Sequence, residues 1–536
     1  MPSPVPAERV ARNAGVIGAL TVVSRVAGFG RTAVLGWTVG ATVLGGIYLT
    51  ANTVPNIIFE IVAGGALAAL VVPLLAAHVA ANDRAEVSAT ASALLTRAFA
   101  ALVPLAVAVA LAAGPIIDAL APNASPQARD VGALMLRIFA AQLPLYGVAV
   151  VLIGVLQANR RFAWPVLAPL LSSVVVATTY AVFALTQGRR ADLPTVGTGG
   201  QLILAVGTTT GVAVLALCLL VPLRGIGVRL RPAWRLPAGS ARAARGLAAA
   251  GVVTVGLQQV AVLVTLRLAN GGPKGALLVF TVAQAVYLLP WSVLAVPPAT
   301  AVYPSIAEAY ATGDESRYRQ RLAPATRGVV LLACLGAATL IAVARPAEVF
   351  FGLSGLAGAV VALAPGLVGY GLFAVLSRAL YARHAPAAAA AATGVGWLAV
   401  AAAAPVLAAV LPDTRRLIAL GAATSIGMAL LGALLVGAVV RRAGRTALAG
   451  LARALAVGLF AGAVAAAAGA GVGALTGGTP TTLGALGQGM LCGAVVAAAF
   501  LAVAYPLDRH DVRPAVAGIL RRLRRAQRGT EGGVTR

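Results

Sequence analysis

Acidic residues are scarce in this chain. Asp and Glu together number 15 against 41 Lys and Arg, a formal net charge of +26, yet charged residues of both signs make up only 10% of the 536 positions. Lysine is scarcer still. Lys274 stands alone and every other basic residue is arginine, a bias that accompanies the wealth of Ala, Gly and Val and reads as codon composition. The three cysteines, Cys218, Cys334 and Cys492, all lie in apolar runs without metal-ligand spacing, so they imply neither a disulfide framework nor a metal site. The three histidines, His78, His384 and His510, are scattered and form no site. The sequence has no phosphate-cradling G-x-x-x-x-G-K-[ST] loop, no H-E-x-x-H and no specific nucleophile–base pairing. The reading is therefore of a protein that is not an enzyme, needs no cofactor and does not hydrolyse ATP within this chain.

What is present is hydrophobic. Apolar residues make up 60% of the chain and the mean hydropathy is +0.93. The apolar runs are near 20 residues long and do not alternate, which predicts an all-α polytopic membrane protein and excludes a transmembrane barrel. Arg9 and Arg12 precede an apolar run, but no convincing cleavage site follows, so this run is read as a retained first span. Fourteen candidate spans can be drawn. With the N-terminus inside, thirty basic residues fall on the inner side, including six from Arg224 to Arg245 and eight in the C-terminal tail. Seven fall outside: Arg129, Arg189, Arg190, Lys274, Arg345, Arg415 and Arg416. This bias predicts a multi-pass protein of the cell (inner) membrane with both termini cytoplasmic, and it accounts for the positive charge without nucleic acid.

The second and eighth spans look alike. VPNIIFEIVAGGALAALVVP followed by AANDRAEVS parallels LPWSVLAVPPATAVYP followed by ATGDESRYR, with Pro55 and Pro290 opening comparable stretches and Pro73 and Pro304 closing them. Each is the second span of a six-span half. The expected domains are a cytoplasmic N-terminus at 1–13, an N-lobe at 14–224, a basic linker at 225–246, a C-lobe at 247–440, two further spans at 441–507 and a basic tail at 508–536. The tail reads equally as an amphipathic helix on the inner leaflet or as a solvated topogenic segment.

Charges inside the spans point to function, because each costs roughly 2.5–3.5 kcal/mol at a helix centre. Arg25 and Arg31 lie in the first span. On a straight helix they differ by roughly 240° in azimuth and ~9 Å in height, and Gly28 and Gly30 between them suggest a hinge. Arg137 and Arg267 lie toward the outer ends of the fourth and seventh spans, where an arginine either lines a cavity or snorkels to the interface. Arginine's planar fork suits phosphate. Glu60 is then a counter-charge or coupling site, or a structural ion pair. Further broken-helix candidates are Pro55, Gly64 and Gly65 in the second span and Pro290 and Pro297 in the eighth. Gln142, Gln258, Gln259 and Gln284 are cavity donors or interhelical contacts.

At SRVAGFGR followed by ANTVPNIIFEIVAGGALAALVVPLL the sequence resembles the MurJ/MviN family of lipid II flippases, within the MATE-like exporter superfamily. LRIFAAQLPLYGVAVVLIGVLQANRRFAWPVLAPLLSS and LPWSVLAVPPATAVYPSIAEAYATGD carry the same resemblance. It implies two six-helix MATE-like lobes plus two C-terminal helices. It also implies alternating access through an arginine-lined central cavity, and movement of lipid II or a related polyprenyl-pyrophosphate lipid from inner to outer leaflet for cell-wall biosynthesis. Cell-wall synthesis proteins are the implied partners, besides the membrane lipids, and the membrane potential or a monovalent ion the implied driving force. Arg25 and Arg31 match the family's two first-span arginines, expected to meet the pyrophosphate. Where the family usually has an acid after the second arginine this chain has Thr32, and the basic pair after Pro-Asn is Phe59–Glu60. The acid before the glycine is Gly64, and the Asp-Arg of span eight is Gln284–Ala285. Arg137 and Arg267 are the candidates to replace the missing cations. Two other readings fit the composition: a cation-coupled drug or polyprenyl-oligosaccharide exporter of the same fold, and a non-transporting scaffold for cell-wall synthesis.

Overall fold

The computed structural model describes residues 7–62, 71, 75, 79, 81, 83–234, 241–477, 481–509 and 511. Gly64, Gly65, Pro73, His78, His510 and the tail beyond residue 511 lie outside the described residues. Among the described residues every regular element is helical: α1 (Ala7–Thr38), α2 (Val43–Glu60), α3 (Arg84–Leu111), α4 (Ala113–Leu120), α5 (Pro126–Ala140), α6 (Gln142–Ala158), α7 (Ala163–Gln187), α8 (Thr198–Leu217), α9 (Leu220–Ile226), α10 (Ala241–Asn270), α11 (Ala276–Pro290), α12 (Val296–Ala311), α13 (Glu315–Phe351), α14 (Leu356–Leu363), α15 (Gly366–Ala382), α16 (Pro386–Val410), α17 (Arg416–Ala443), α18 (Leu451–Leu475) and α19 (Thr482–Leu507). In lipid a backbone polar group has no water to bond, so long helices that satisfy their own ladders are the available solution. Among the described residues eleven helices or unbroken helix runs are long and apolar enough to cross a membrane, twelve if α14 and α15 count as one bent span. α1 and α2 precede these and occupy the positions of the first two expected spans.

The chain divides into two compact units. The first comprises Met1–Ala285 with Ala404–Leu420, the second Val286–Ala403 with Gly421–Arg536. In the first, α1 lies along α7, α7 packs on α8, α2 packs on α5 and α6, and α3 packs on α6. Its core includes Val87, Ala91, Leu94 and Leu102 of α3 with Val148, Leu152, Val155 and Leu156 of α6, all buried. In the second unit the 37-residue α13 is the spine, packed by α12, α15, α18 and α19. α15 and α17 approach so closely that a Cβ added to Gly369 would lie 2.0 Å from the carbonyl oxygen of Met428, so only glycine fits there.

Two breaks show how freed backbone groups are satisfied. α14 and α15 meet at 47° around Ala364 and Pro365. Ser425 of α17 covers the break: its hydroxyl accepts from the Gly366 N–H at 3.0 Å and donates to the Ala362 carbonyl at 2.6 Å. Between α11 and α12, Trp291–Ala295 form one wide π-helical turn. Pro290 and Pro297, which lack backbone donors, flank it, and each removes a rung of the ordinary ladder. The Trp291 indole N–H donates to the Tyr370 carbonyl at 3.0 Å, and its ring stacks on Tyr370 at 4.6 Å, which holds the wide turn against α15.

Candidate functional site

α1 remains helical through Gly28 and Gly30, and a Cβ at either position would meet nothing within 4 Å. These glycines are not there for close packing. Thr32 turns its hydroxyl back to the Gly28 carbonyl at 3.2 Å. Arg25 is exposed on this helix, and Arg31, nearly two turns further on, is half-buried. Among the described residues Arg31 has no hydrogen-bond or ion-pair partner. It lies within electrostatic reach of three tyrosines, Tyr48, Tyr146 and Tyr180.

Those tyrosines are anchored in the first unit. The Tyr48 hydroxyl, fully buried, bonds both the Tyr180 hydroxyl and Thr208 Oγ1, each at 2.8 Å. Tyr146 donates to Asn56 Oδ1 at 2.8 Å and packs against Phe59 with ring centroids 4.3 Å apart. Gln142, one turn before Tyr146, is buried and donates to Thr209 Oγ1 at 3.2 Å. Gln142 Oε1 and Asn52 Oδ1 are buried acceptors that no described donor reaches. On α2 the residues Tyr48, Asn52, Asn56 and Glu60 recur every fourth position, and that spacing places them along one side of the helix. This four-residue polar period in an otherwise apolar span was the signal by which sequence reasoning could have found the stripe.

Glu60 ends α2. It is exposed, has no ion-pair partner among the described residues, and lies within electrostatic reach of Tyr146. Arg31 and Glu60 thus share Tyr146 as a neighbour without pairing to each other. Pro55 is buried inside α2, which passes through it unbroken as far as Glu60; Ile61 and Val62 then take a separate wide, π-helical turn.

The other two arginines differ from each other. Arg137, in the last turn of α5, is exposed and has no partner among the described residues. Arg267 is committed. Its guanidinium donates to the Ala119 carbonyl in the last turn of α4, and Asn270 donates to the Leu120 carbonyl at 3.0 Å and to Thr50 Oγ1 at 2.9 Å. The last carbonyls of a helix have no partners within it, and a cation suits that end of the dipole. Arg267 and Asn270 therefore fasten the end of α10 onto α4 and α2. The following turn continues the fastening. Lys274 pairs at 3.8 Å with Asp192, which also accepts the Leu44 N–H at 3.0 Å at the start of α2. Gly275, at φ +74°, takes a left-handed turn where a Cβ would fall 2.5 Å from Ala41. A cavity of about 200 Å³ remains beneath this clasp, lined by Asn123, Asn270, Lys274 and Ile47 among others.

A family model described as "Lipid II flippase MurJ" matches residues 36–505. Among curated proteins, a probable lipid II flippase MurJ of Synechocystis sp. is 28% identical over 241 residues, 44% of each chain. That alignment spans less than half of the Synechocystis protein's length. A lipid II flippase MurJ of Burkholderia cenocepacia is 25% identical over 386 residues, 69% of this chain and 72% of its own. A solved lipid II flippase MurJ in an inward closed conformation superposes with a TM-score of 0.71 at 17% identity, over 92% of this chain and 99% of that one. An inward-facing multidrug MATE transporter of the MOP superfamily superposes at 0.63 and 16% identity, over 80% and 94%. At these identities the structures carry the fold, a MurJ- and MATE-like helical transporter architecture. With its family model running from residue 36 to residue 505, this multi-pass membrane protein belongs to the lipid II flippase MurJ family.

Proposed function

We propose that this protein moves lipid II, or a closely related polyprenyl-pyrophosphate lipid, from the inner to the outer leaflet by alternating access. The setting is the cytoplasmic membrane, with both termini in the cytoplasm as the arginine bias requires. The observation that carries the reading is Arg31: a half-buried guanidinium in an apolar span whose donors no described group uses, within electrostatic reach of Tyr48, Tyr146 and Tyr180. A pyrophosphate needs a cation that never loses its charge, and a low-dielectric surrounding strengthens that attraction. Arg25 and Arg137 supply further charge along the path. Arg267, already holding α4, contributes to closure more than to binding. The two expected lobes, 14–224 and 247–440, rock about spans one, two, seven and eight, the eighth carrying the wide turn at Trp291–Ala295, and the polyprenyl tail stays in lipid throughout.

No cofactor is part of this reading, and the driving force is the membrane potential or a monovalent ion. Glu60, an acid at the end of the polar stripe with no ion-pair partner among the described residues, is the residue assigned to coupling. Complementation tests the proposal. In flippase-depleted cells at matched expression, wild type restores growth while Arg25→Ala and Arg31→Ala do not. Failure of wild type, or full rescue by both variants, moves the exporter and scaffold readings ahead.

A further inference from the structure

After α9 the chain does not leave the first unit as a free linker. Residues 228–234 run extended along α3, and their backbone is bonded to it at regular intervals. The Arg229 N–H donates to Ser88 Oγ at 3.2 Å, the Arg231 N–H to Ser92 Oγ at 3.0 Å and the Ala233 N–H to Thr96 Oγ1 at 3.1 Å. At the far end Arg97 Nη2 donates to the Trp234 carbonyl at 2.8 Å. The geometry explains the register. Two residues of extended chain rise about 6.6 Å, and four residues of helix rise about 6 Å, so every second N–H meets every fourth side chain. Pro232, which has no N–H, falls on the alternate set that faces away. Ser88 and Thr96 also donate to the Arg84 and Ser92 carbonyls of their own helix, so each hydroxyl is used in both directions. Ile226 and Val228 pack on the buried core of α3 and α6, which anchors the near end.

The strap turns its charge outward. Arg229, Leu230, Arg231, Pro232 and Trp234 are exposed, Trp234 at 64%. Arg84 and Arg97 of α3 are exposed beside it, and Arg84 passes the strap at Gly227. Asp83 and Glu86 sit at the start of α3, where Asp83 caps the Glu86 N–H. Arg97 and Trp234 mark a boundary, because residues 98–117 contain no ionisable side chain and Phe99, Val103 and Val107 are exposed apolar residues. Tryptophan beside arginine at the edge of an apolar span is the composition of the membrane–water interface. On the orientation proposed above, that composition puts the exposed guanidiniums at headgroup depth on the arginine-rich side.

We propose that the strap and the first turns of α3 form a binding surface for anionic phospholipid headgroups of the inner leaflet. Arg97, Arg229 and Arg231 meet the phosphates, and the Trp234 ring lies among the glycerol and upper acyl carbons. The hydroxyl ladder fixes the spacing of these arginines, which distinguishes a built surface from diffuse positive charge. The surface serves to seat the first unit in the leaflet, and it does not depend on what the protein transports.

The test is fluorescence quenching in vesicles, using the full chain and a Trp234→Phe reference to isolate the signal of Trp234. Brominated phosphatidylglycerol should quench Trp234 several-fold more than brominated phosphatidylcholine at equal mole fraction. Arg229→Gln with Arg231→Gln should abolish the preference at unchanged melting temperature, since both side chains are exposed. Ser88→Ala with Ser92→Ala should weaken it although every arginine remains. Equal quenching by the two lipids in the wild type overturns the proposal. So does a preference that survives the arginine pair, or one indifferent to the ladder. Loss of the preference on adding millimolar inorganic pyrophosphate would make the patch a soluble-anion site instead, and the lipid assignment would fall.

Discussion

Tyr146 of α6 donates its hydroxyl to Asn56 of α2 at 2.8 Å, one turn before Glu60, whose carboxylate has no ion-pair partner among the described residues. This bond joins the two helices at the point where Arg31 and Glu60 share a neighbour. Tyr146→Phe keeps the ring against Phe59 and removes only the bond. Leaving the half-buried Asn56 oxygen without its donor should cost about 1 kcal/mol, read as a lower melting temperature in detergent. If Arg31 needs Tyr146 held in place, transport should fall more than stability does. An unchanged melting temperature together with unchanged transport would mean that the bond holds nothing.

The clasp at the end of α10 makes a second prediction. Asn270→Ala removes the donor to both Thr50 and the Leu120 carbonyl. Ile47, buried and lining the cavity beneath the clasp, reports on its opening. A cysteine placed there, Ile47→Cys, should react slowly with a membrane-impermeant maleimide in the parent protein and several-fold faster with Asn270→Ala added. Equal rates would show that the clasp does not control access.

Glycine substitutions separate packing from hinge. Gly369→Ala should destabilise strongly, because its methyl would lie 2.0 Å from the Met428 carbonyl oxygen. Gly28→Ala and Gly30→Ala meet open space and should hold stability or gain up to about 1 kcal/mol through helix propensity. If α1 flexes at these glycines during transport, the same two variants should slow lipid movement while folding normally. Full activity in both would remove them from the mechanism.

The chain approaching its C-terminus is held by an ion pair that differs from those at exposed positions. Arg327 meets Asp511 in bidentate fashion at 2.5 and 2.8 Å, with side-chain exposures of 14% and 11%. Breaking a pair so far out of water should cost about 3–5 kcal/mol. The Arg416–Asp413 pair has its carboxylate 76% exposed, and Asp413→Ala should cost under about 1 kcal/mol after screening. Comparing the melting temperatures of Asp511→Ala and Asp413→Ala checks the order; equal losses would contradict it.

The apolar runs made the helical membrane architecture legible, because lipid leaves the backbone few alternatives. Pro290 and Pro297 bracket the wide turn at Trp291–Ala295, since each lacks a backbone donor wherever it stands. Side chains that bond distant backbone were not legible. Arg267 reads as a cavity cation or a snorkelling arginine, and its acceptor in the structure is the Ala119 carbonyl, 148 residues earlier; a carbonyl leaves no mark in a sequence. The strap on α3 was hidden in the same way: Ser88, Ser92 and Thr96 find their partners 137 to 141 residues away. Gly28 and Gly30 read as a hinge, yet α1 is helical through both, as a helix that satisfies its own ladder tolerates glycine. Tyr48 and Tyr146 carry no charge, and a neutral hydroxyl stands out from an apolar span far less than a guanidinium does.

The most direct test of the central claim measures where lipid II resides when Arg31 is changed. In spheroplasts of flippase-depleted cells, the fraction of lipid II reached by an externally added, impermeant lipid II-modifying enzyme is quantified with wild type, Arg31→Lys and Arg31→Ala at matched membrane levels. Wild type should restore outer-leaflet lipid II, Arg31→Ala should leave it near the depleted baseline, and Arg31→Lys should fall between, since lysine keeps the charge but not the fork. Restoration by Arg31→Ala equal to wild type would contradict the assignment of this arginine to the pyrophosphate.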